Sequence, residues 1–283
     1  MLFGKLGGSE IALFGEVVKG ASHKRVGKPC QDSRKILVNP GSIILATADG
    51  HGSSSSPHSK YGSQIAVNVF CKVLMEYLNK YEGDMEAFES FLRNDGDTTV
   101  SQEIENEWKS RVEKANRKRI KRKKKTPPDE AVKLDIWRQY GTTLLGLVIM
   151  PSWYFAFQLG DGDIMLIDDT GAKHAVEAVK LLGTETHSLS QPEAWKRAVA
   201  AVGQTPDSNS RYTFIVSTDG FANSYPSEEA FIKTCIDYFE TIKEYGAEAI
   251  ESNLTTWLNE TSAMGSGDDI TVLFAYNGGS IDG

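Results

Sequence analysis

Apolar residues recur at two different periods along this chain, and the switches between them outline its elements. Ile11 to Val18 alternates loosely and predicts a strand, as does Lys35 to Val38. Ile43-Ile44-Leu45-Ala46 is a continuous apolar run, the pattern of a strand buried on both faces. From Tyr61 to Tyr77 the period lengthens. Ile65, Val69, Val73 and Tyr77 stand four apart beside Ala66, Phe70 and Leu74, which predicts a helix facing the core. A second helix is expected over about Met85 to Leu92. Asn94-Asp95-Gly96-Asp97 is expected to break it, with Thr98 or Thr99 capping a third helix from about Val100 to Ile120. Thr126-Pro127-Pro128-Asp129 ends any helix.

Strand-like spacing then returns. Tyr140 to Ile149, Trp153 to Leu159 and Ile164 to Ile167 are separated by short turns, and Asp168-Asp169-Thr170-Gly171 turns again. Such close spacing predicts an antiparallel meander. His174 to Gln204 is irregular, with Trp195 to Val202 helical at most. It reads as part of a flap-like surface excursion over about 174–210, of the kind that borders a site. Tyr212 to Ser217 is another apolar strand, and Ile270 to Tyr276 a last one. Between them Glu228 to Tyr245 and Ala247 to Asn259 are helical, with Phe231, Cys235, Ile236 and Phe239 on one face. No repeat at solenoid periods is visible.

Composition narrows the class. At 283 residues the chain holds one large or two small domains, and we take 1–283 as one. An apolar fraction of 40% and a charged fraction of 24% are ordinary for a globular protein. A net charge of −7 argues against general nucleic-acid binding. Cys30, Cys71 and Cys235 form no CxxC and no disulfide framework, so a reducing interior is expected. Met1 to Ser9 lacks the apolar run of a secretory signal, and no stretch approaches a membrane span. The expectation is a cytoplasmic protein. The anomaly is Arg117 to Lys125, eight cations in nine residues, which opens a basic linker at about 117–128. It reads either as a patch for an acidic partner, nucleic acid or targeting receptor, or as a solvated helix end. No aromatic is interleaved for base stacking, which favours the second.

Candidate chemistry lies where strands stop. Ile43 to Ala48 runs into Asp49-Gly50-His51-Gly52, and Tyr212 to Thr218 into Asp219-Gly220. One Asp-Gly alone is most simply a β-turn. Two, each at the end of a buried strand, with Asp32, Asp161 and Asp268 in loops beside other strands, depart from chance. If those strands are neighbours the carboxylates converge, and converging carboxylates need hard cations to stay ionised. No HExxH and no Cys/His spacing points to zinc, and all-oxygen ligation suits Mg²⁺ or Mn²⁺. Upstream, the cationic loop His23-Lys24-Arg25…Lys28 leads into Asp32, an arrangement for an anion held beside a metal. A solvated hairpin loop is the simpler alternative.

These motifs in this order resemble the metal-dependent PP2C-type (PPM) protein serine/threonine phosphatases. The resemblance is carried by Gln31-Asp32, Ala48-Asp49-Gly50-His51-Gly52, Gly141-Thr142-Thr143, Leu159-Gly160-Asp161-Gly162, Ser217-Thr218-Asp219-Gly220 and Gly267-Asp268-Asp269-Ile270-Thr271-Val272. It spans about residues 11 to 276. The Ser22-His23…Pro29-Cys30-Gln31-Asp32 opening looks most like a prokaryotic branch. The resemblance implies an α+β fold, a four-layer α/β/β/α sandwich of two antiparallel sheets flanked by helices. It implies a phosphorylated protein substrate and two Mg²⁺ or Mn²⁺ ions, with a weak third. On that pattern Asp49 bridges both metals, the Gly50 carbonyl ligates one, and Asp219 and Asp268 the other. Asp32 holds water, His51 is a general acid, and Asp161 serves the third metal. Three positions depart. Gln31 stands where a Glu is common, and Asn223 where an acidic residue follows the second Asp-Gly. No Arg occupies the phosphate-clamp position, leaving His23, Lys24, Arg25 and Lys28 as substitutes around Gly27. The Gln31 and Asn223 changes motivate a rival expectation, a catalytically weak module that binds phosphoproteins.

Overall fold

The computed structural model describes residues 1–122, 133–177 and 186–279. Among these, strands pair into two antiparallel sheets. The six-stranded sheet has the order β1-β2-β11-β10-β7-β8: Leu2–Leu6, Ser9–Val18, Ile270–Asn277, Tyr212–Ser217, Asp163–Asp168 and Gly171–His174. The five-stranded sheet has the order β3-β4-β5-β6-β9: Ser33–Asn39, Ser42–Ala48, Leu144–Ile149, Trp153–Leu159 and Val199–Gln204. Helices α2 (Ser59–Lys80), α3 (Met85–Asp95) and α4 (Ser101–Arg122) cover the outer face of the five-stranded sheet. Helices α7 (Glu228–Tyr245) and α8 (Ala247–Met264) cover the outer face of the other. The fold is the expected four-layer sandwich.

The apolar pattern explains the layering. In β4, Ile43 and Leu45 point into the core between the sheets, while Ile44, Ala46 and Ala48 point toward α2. In β11, Leu273 and Ala275 face inward, and Val272 and Phe274 face α7 and α8. A strand covered on both faces has no polar side to show, so its sequence loses its alternation. The helices read as expected, with caps to match. Asp84 accepts the Ala87 N–H at 3.0 Å to start α3, and Ser227 accepts that of Ala230 at 3.3 Å to start α7.

Four local readings need correction. The first is the expectation of helix over Trp195 to Val202. Ala194–Arg197 makes one 3₁₀ turn, and Val199–Gln204 is edge strand β9, paired with β6 from Trp153↔Gln204 to Gln158↔Val199. The run Val-Ala-Ala-Val has no clear period, and the free edge of β6 decides it. The second is the expected break at Asn94 to Asp97. The chain instead continues through a π-helical turn, Gly96–Val100, because Val100 is fully buried and Gly96 packs on Leu92 and Phe155. The third is the cationic loop, in which Ala21–Arg25 forms a short helix, α1, seated on the Gly267 carbonyl through the Ser22 N–H and hydroxyl. The fourth is β1, a sheet-edge strand that the sequence pattern does not single out. The expected helix stop at Thr126 to Asp129 lies outside the described residues, as do the last three lysines of the basic run.

One close approach ties the helical layer to the loops at the sheet end. A Cβ on Gly62 of α2 would stand 1.8 Å from the Tyr140 carbonyl oxygen. The Gly62 carbonyl in turn accepts the buried Trp108 indole N–H at 3.1 Å, which pins α4 to α2. Gly62→Ala is therefore expected to push α2 away from Tyr140 and cost about 1–3 kcal/mol, the usual range for overpacking. Urea unfolding monitored by Trp fluorescence measures it.

Candidate metal centre

The carboxylates expected to matter lie at one end of the sandwich, and both sheets supply them. Asp32 precedes β3 and Asp49 follows β4 in the five-stranded sheet. Asp219 follows β10, opening the short helix α6 (Asp219–Ala222), and Asp268 precedes β11 in the six-stranded sheet. Asp161 lies in the turn between β6 and β7, where the chain crosses from one sheet to the other.

Neutral donors hold this set in place. The Asp49 backbone is locked by the Gly141-Thr142-Thr143 stretch. The Asp49 N–H donates to Thr143 Oγ1 at 2.9 Å, and its carbonyl accepts the Thr143 N–H at 2.8 Å and the Thr142 hydroxyl at 2.7 Å. Gly50 bridges to Thr142, and a Cβ there would meet backbone of Ser59 at 2.8 Å and of Gln31 at 2.9 Å, so no side chain fits. The His51 N–H donates to the Gly141 carbonyl at 3.0 Å. Asp32 is gripped across the sheets, since the hydroxyls of Thr218 and Thr271 both donate to its Oδ2 at 2.7 Å. Asp219 Oδ2 accepts from Asn223 Nδ2 at 2.9 Å.

Burial and like charge dominate the electrostatics. Burial, opposed by the two threonine hydroxyls, pushes Asp32 up to about 7. Asp219 is pushed up to about 8 by burial and by Asp161, Asp268 and Asp32. Asp49 is driven well above the carboxylate range by burial and then by Asp32, Asp219 and Asp268. Asp32 Oδ1 is buried with no donor among the described residues. Burial lowers the His51 pKa, and the carboxylate of Asp161 opposes that shift by favouring the protonated ring. An all-oxygen, over-acidic donor set with an orphaned buried oxygen fits a hard divalent cation.

The cationic residues separate into distinct places. His23 turns inward, with Nδ1 3.0 Å from Asp269 Oδ1 and Nε2 4.0 Å from Asp268. Lys28 donates to the Gly52 carbonyl at 3.0 Å, beside the Asp49-Gly50-His51 turn. Lys24 reaches Asn259 on α8 at 2.5 Å, and Arg25 is exposed. Asp269 has a role that sequence reasoning missed. It is buried and accepts the N–H groups of Gly20 at 2.6 Å and Gln31 at 2.7 Å, stitching the start of α1 to the loop before Asp32. His23, Asp268 and Asp269 also offer one ligand atom each within 4.8 Å. Thr142, Thr143, Thr218 and Thr271 likewise lie within the motif stretches without having been given a role there.

The family model of protein phosphatase 2C matches residues 19–259. This chain belongs to the protein phosphatase 2C family. Solved structures agree in fold at low identity. The S. agalactiae serine/threonine phosphatase aligns with a TM-score of 0.54 at 16% identity, covering 94% of this chain and 99% of that one. The catalytic domain of the protein phosphatase PstP, in complex with two manganese ions, gives 0.52 at 13%, covering 94% and 97%. RsbX in complex with magnesium gives 0.52 at 14%, covering 97% and 98%. No curated protein matches the sequence. Among the described residues of this protein phosphatase 2C chain, no helix is long and apolar enough to cross a membrane.

The raised carboxyls make the metal-free protein pH-sensitive in a defined direction. Unfolded, these groups ionise near their ordinary value of 3.8; folded, Asp32 and Asp219 ionise only at about 7 and about 8. Between those limits the folded state keeps protons that the unfolded state has lost, so stability falls as pH rises and levels off above about 8. In EDTA, Tm is expected to drop by about 5 °C or more between pH 5 and pH 9, since each kcal/mol moves a domain of this size by roughly 2–4 °C. Saturating Mn²⁺ at the upper pH should reverse the drop. Differential scanning calorimetry measures both.

Proposed function

We propose that this chain is a divalent-metal-dependent protein phosphatase that hydrolyses phosphoserine and phosphothreonine. The observation that carries the reading is the convergence of Asp32, Asp49, Asp219 and Asp268, all but uncompensated by protein cations, in a chain of the protein phosphatase 2C family. Asp49, the Gly50 carbonyl, Asp219 and Asp268 would hold two Mg²⁺ or Mn²⁺ ions, with Asp32 holding water beside them and Asp161 near a weaker third position. Bound there, such ions supply an activated water and neutralise charge on the phosphoryl oxygens. The donor chemistry of this chain's own residues supports the choice of ion.

The side chains divide the remaining work. Thr218 and Thr271 fix the rotamer of Asp32 through its Oδ2, leaving Oδ1 without a protein donor among the described residues. Thr142 and Thr143 fix Asp49 and, through Gly141, the entry of His51. His51 is placed to hand a proton to the departing serine or threonine oxygen. Lys28, beside Gly52, is the cation best placed to meet a substrate phosphate. The rival reading, a weak phosphoprotein-binding module, started from Gln31 and Asn223. Gln31 donates its amide to Ser59 Oγ at 2.5 Å and to the His51 carbonyl at 3.3 Å, so it is a packing residue here. Its presence gives no reason to expect a dead centre.

Activity on p-nitrophenyl phosphate should require added Mn²⁺ or Mg²⁺ and vanish in EDTA. Asp219→Asn should lower kcat/KM by about 10²-fold or more. The same variant should keep its metal-free Tm or raise it, because a buried like charge has been removed. A near wild-type rate would move Asp219 out of the centre.

His51→Ala tests the proton donor by leaving group. A serine alkoxide needs protonation as it departs, whereas p-nitrophenolate leaves with little help. Phosphoserine-peptide turnover should fall by roughly 10²-fold, and p-nitrophenyl phosphate turnover much less. Equal losses on both substrates would assign His51 to positioning instead.

A further inference from the structure

The described half of the basic run does not point into empty solvent. It lines a groove of about 590 Å³ between α2 and α4, where Arg111, Lys118, Arg119 and Arg122 gather around Tyr61 and Tyr140. Arg111 is already paired, its Nε lying 2.8 Å from Glu107. Arg119 bonds the neutral Asn116 through Nη2, at 2.8 Å, and lies against the Tyr140 hydroxyl, and its Nε is buried without a partner among the described residues. Neither Lys118 nor Arg122 meets a carboxylate among those residues. Lys118, Arg119 and Arg122 thus face one groove with no carboxylate partner among the described residues, in a chain whose net charge is −7. Local field, not overall charge, decides what such a groove attracts.

The remaining lining restricts the ligand further. Tyr61 is 57% exposed, and Ile65 and Ala115 add apolar surface beside it. Exposed aromatic surface next to cations is the composition of a protein-recognition hot spot. The volume suits a few side chains of a peptide. A nucleic acid would need a longer cationic track with several stacking rings. The groove also adjoins the centre. Tyr140 immediately precedes Gly141-Thr142-Thr143, the stretch that locks Asp49, and its ring lies 5.2 Å from His58 at the start of α2.

We propose that this groove docks an acidic segment, with an embedded apolar side chain, of the phosphoprotein substrate, so that phosphosites with acidic flanks are preferred. The identity of the ligand as a substrate rests on the phosphatase reading; the groove's preference for an acidic peptide does not. Two measurements on the full chain separate them. The first is fluorescence anisotropy with a labelled, non-phosphorylated peptide rich in Asp and Glu around a Leu, against its Asn/Gln analogue. The acidic peptide should bind about tenfold tighter or more, weaken with salt, and lose that advantage in the Lys118→Glu/Arg122→Glu variant. The second is kcat/KM on phosphoserine peptides with the same two flanks. The acidic-flank preference should fall to about one in the variant, while p-nitrophenyl phosphate turnover stays at the wild-type rate. Equal affinity for the two peptides, or an advantage that survives the double charge reversal, overturns the proposal. Tighter binding of a single-stranded oligonucleotide than of the acidic peptide also overturns it. Absence of any phosphate-ester hydrolysis would sink the phosphatase reading alone, and the anisotropy result would still decide the groove.

Discussion

Like charges held together away from water set the terms for this structure. Asp32, Asp49 and Asp219 are all driven above the ordinary carboxylate range by burial, and each is raised further by neighbouring carboxylates. Among the described residues no lysine or arginine forms an ion pair with them, and the bonds they receive come from neutral groups such as Thr218, Thr271 and Asn223. A protein cation would quench the repulsion permanently. Neutral donors orient the oxygens and leave the charge uncompensated, which keeps affinity for an ion arriving from solution. The loops, the threonines and the tight glycine approaches all serve to hold an arrangement that electrostatics alone would push apart.

Much of this was legible because the site lies at the ends of strands that must be buried. A fully apolar run that stops at Asp-Gly announces both a central strand and a carboxylate at its tip, and Asp49 and Asp219 were placed that way. The strands followed from the same runs and α2 from its four-residue spacing, whereas the layering was expected from the family resemblance. What could not be read was decided by partners distant in sequence. β9 exists because β6 has an open edge, and nothing within Val199 to Gln204 says so. The π turn at Gly96 exists because Val100 has a fully buried place to fill. Asp268 and Asp269 look equivalent in the chain, yet one faces the centre and the other ties Gly20 to Gln31.

The departures from the family pattern make structural sense once their contacts are seen. A glutamate at position 31 could not donate to Ser59 and to the His51 carbonyl, so Gln31 exchanges one negative charge for two donated bonds in a region already over-acidic. Asn223 behaves similarly, offering an N–H to Asp219 where an acid would add repulsion. Both changes lower the electrostatic strain of the cluster without removing Asp32, Asp49, Asp219 or Asp268. The missing clamp arginine has a different outcome. His23 is drawn into the acidic loop and Lys24 into α8, which leaves Lys28 alone beside the Gly52 turn.

Because one sheet carries Asp32 and Asp49 and the other carries Asp219 and Asp268, the spacing of the centre is a gauge of how the two sheets sit on each other. The packing that sets this spacing is the inner layer of Leu45, Leu147, Phe214 and Leu273, in the body of the sandwich. A change of volume there would shift one sheet against the other and, with it, the spacing between Asp49 on one side and Asp219 and Asp268 on the other. The affinity of the proposed centre for an ion would then be an instrument that reads the interior of the molecule, registering a shift between layers too slight to unfold either one.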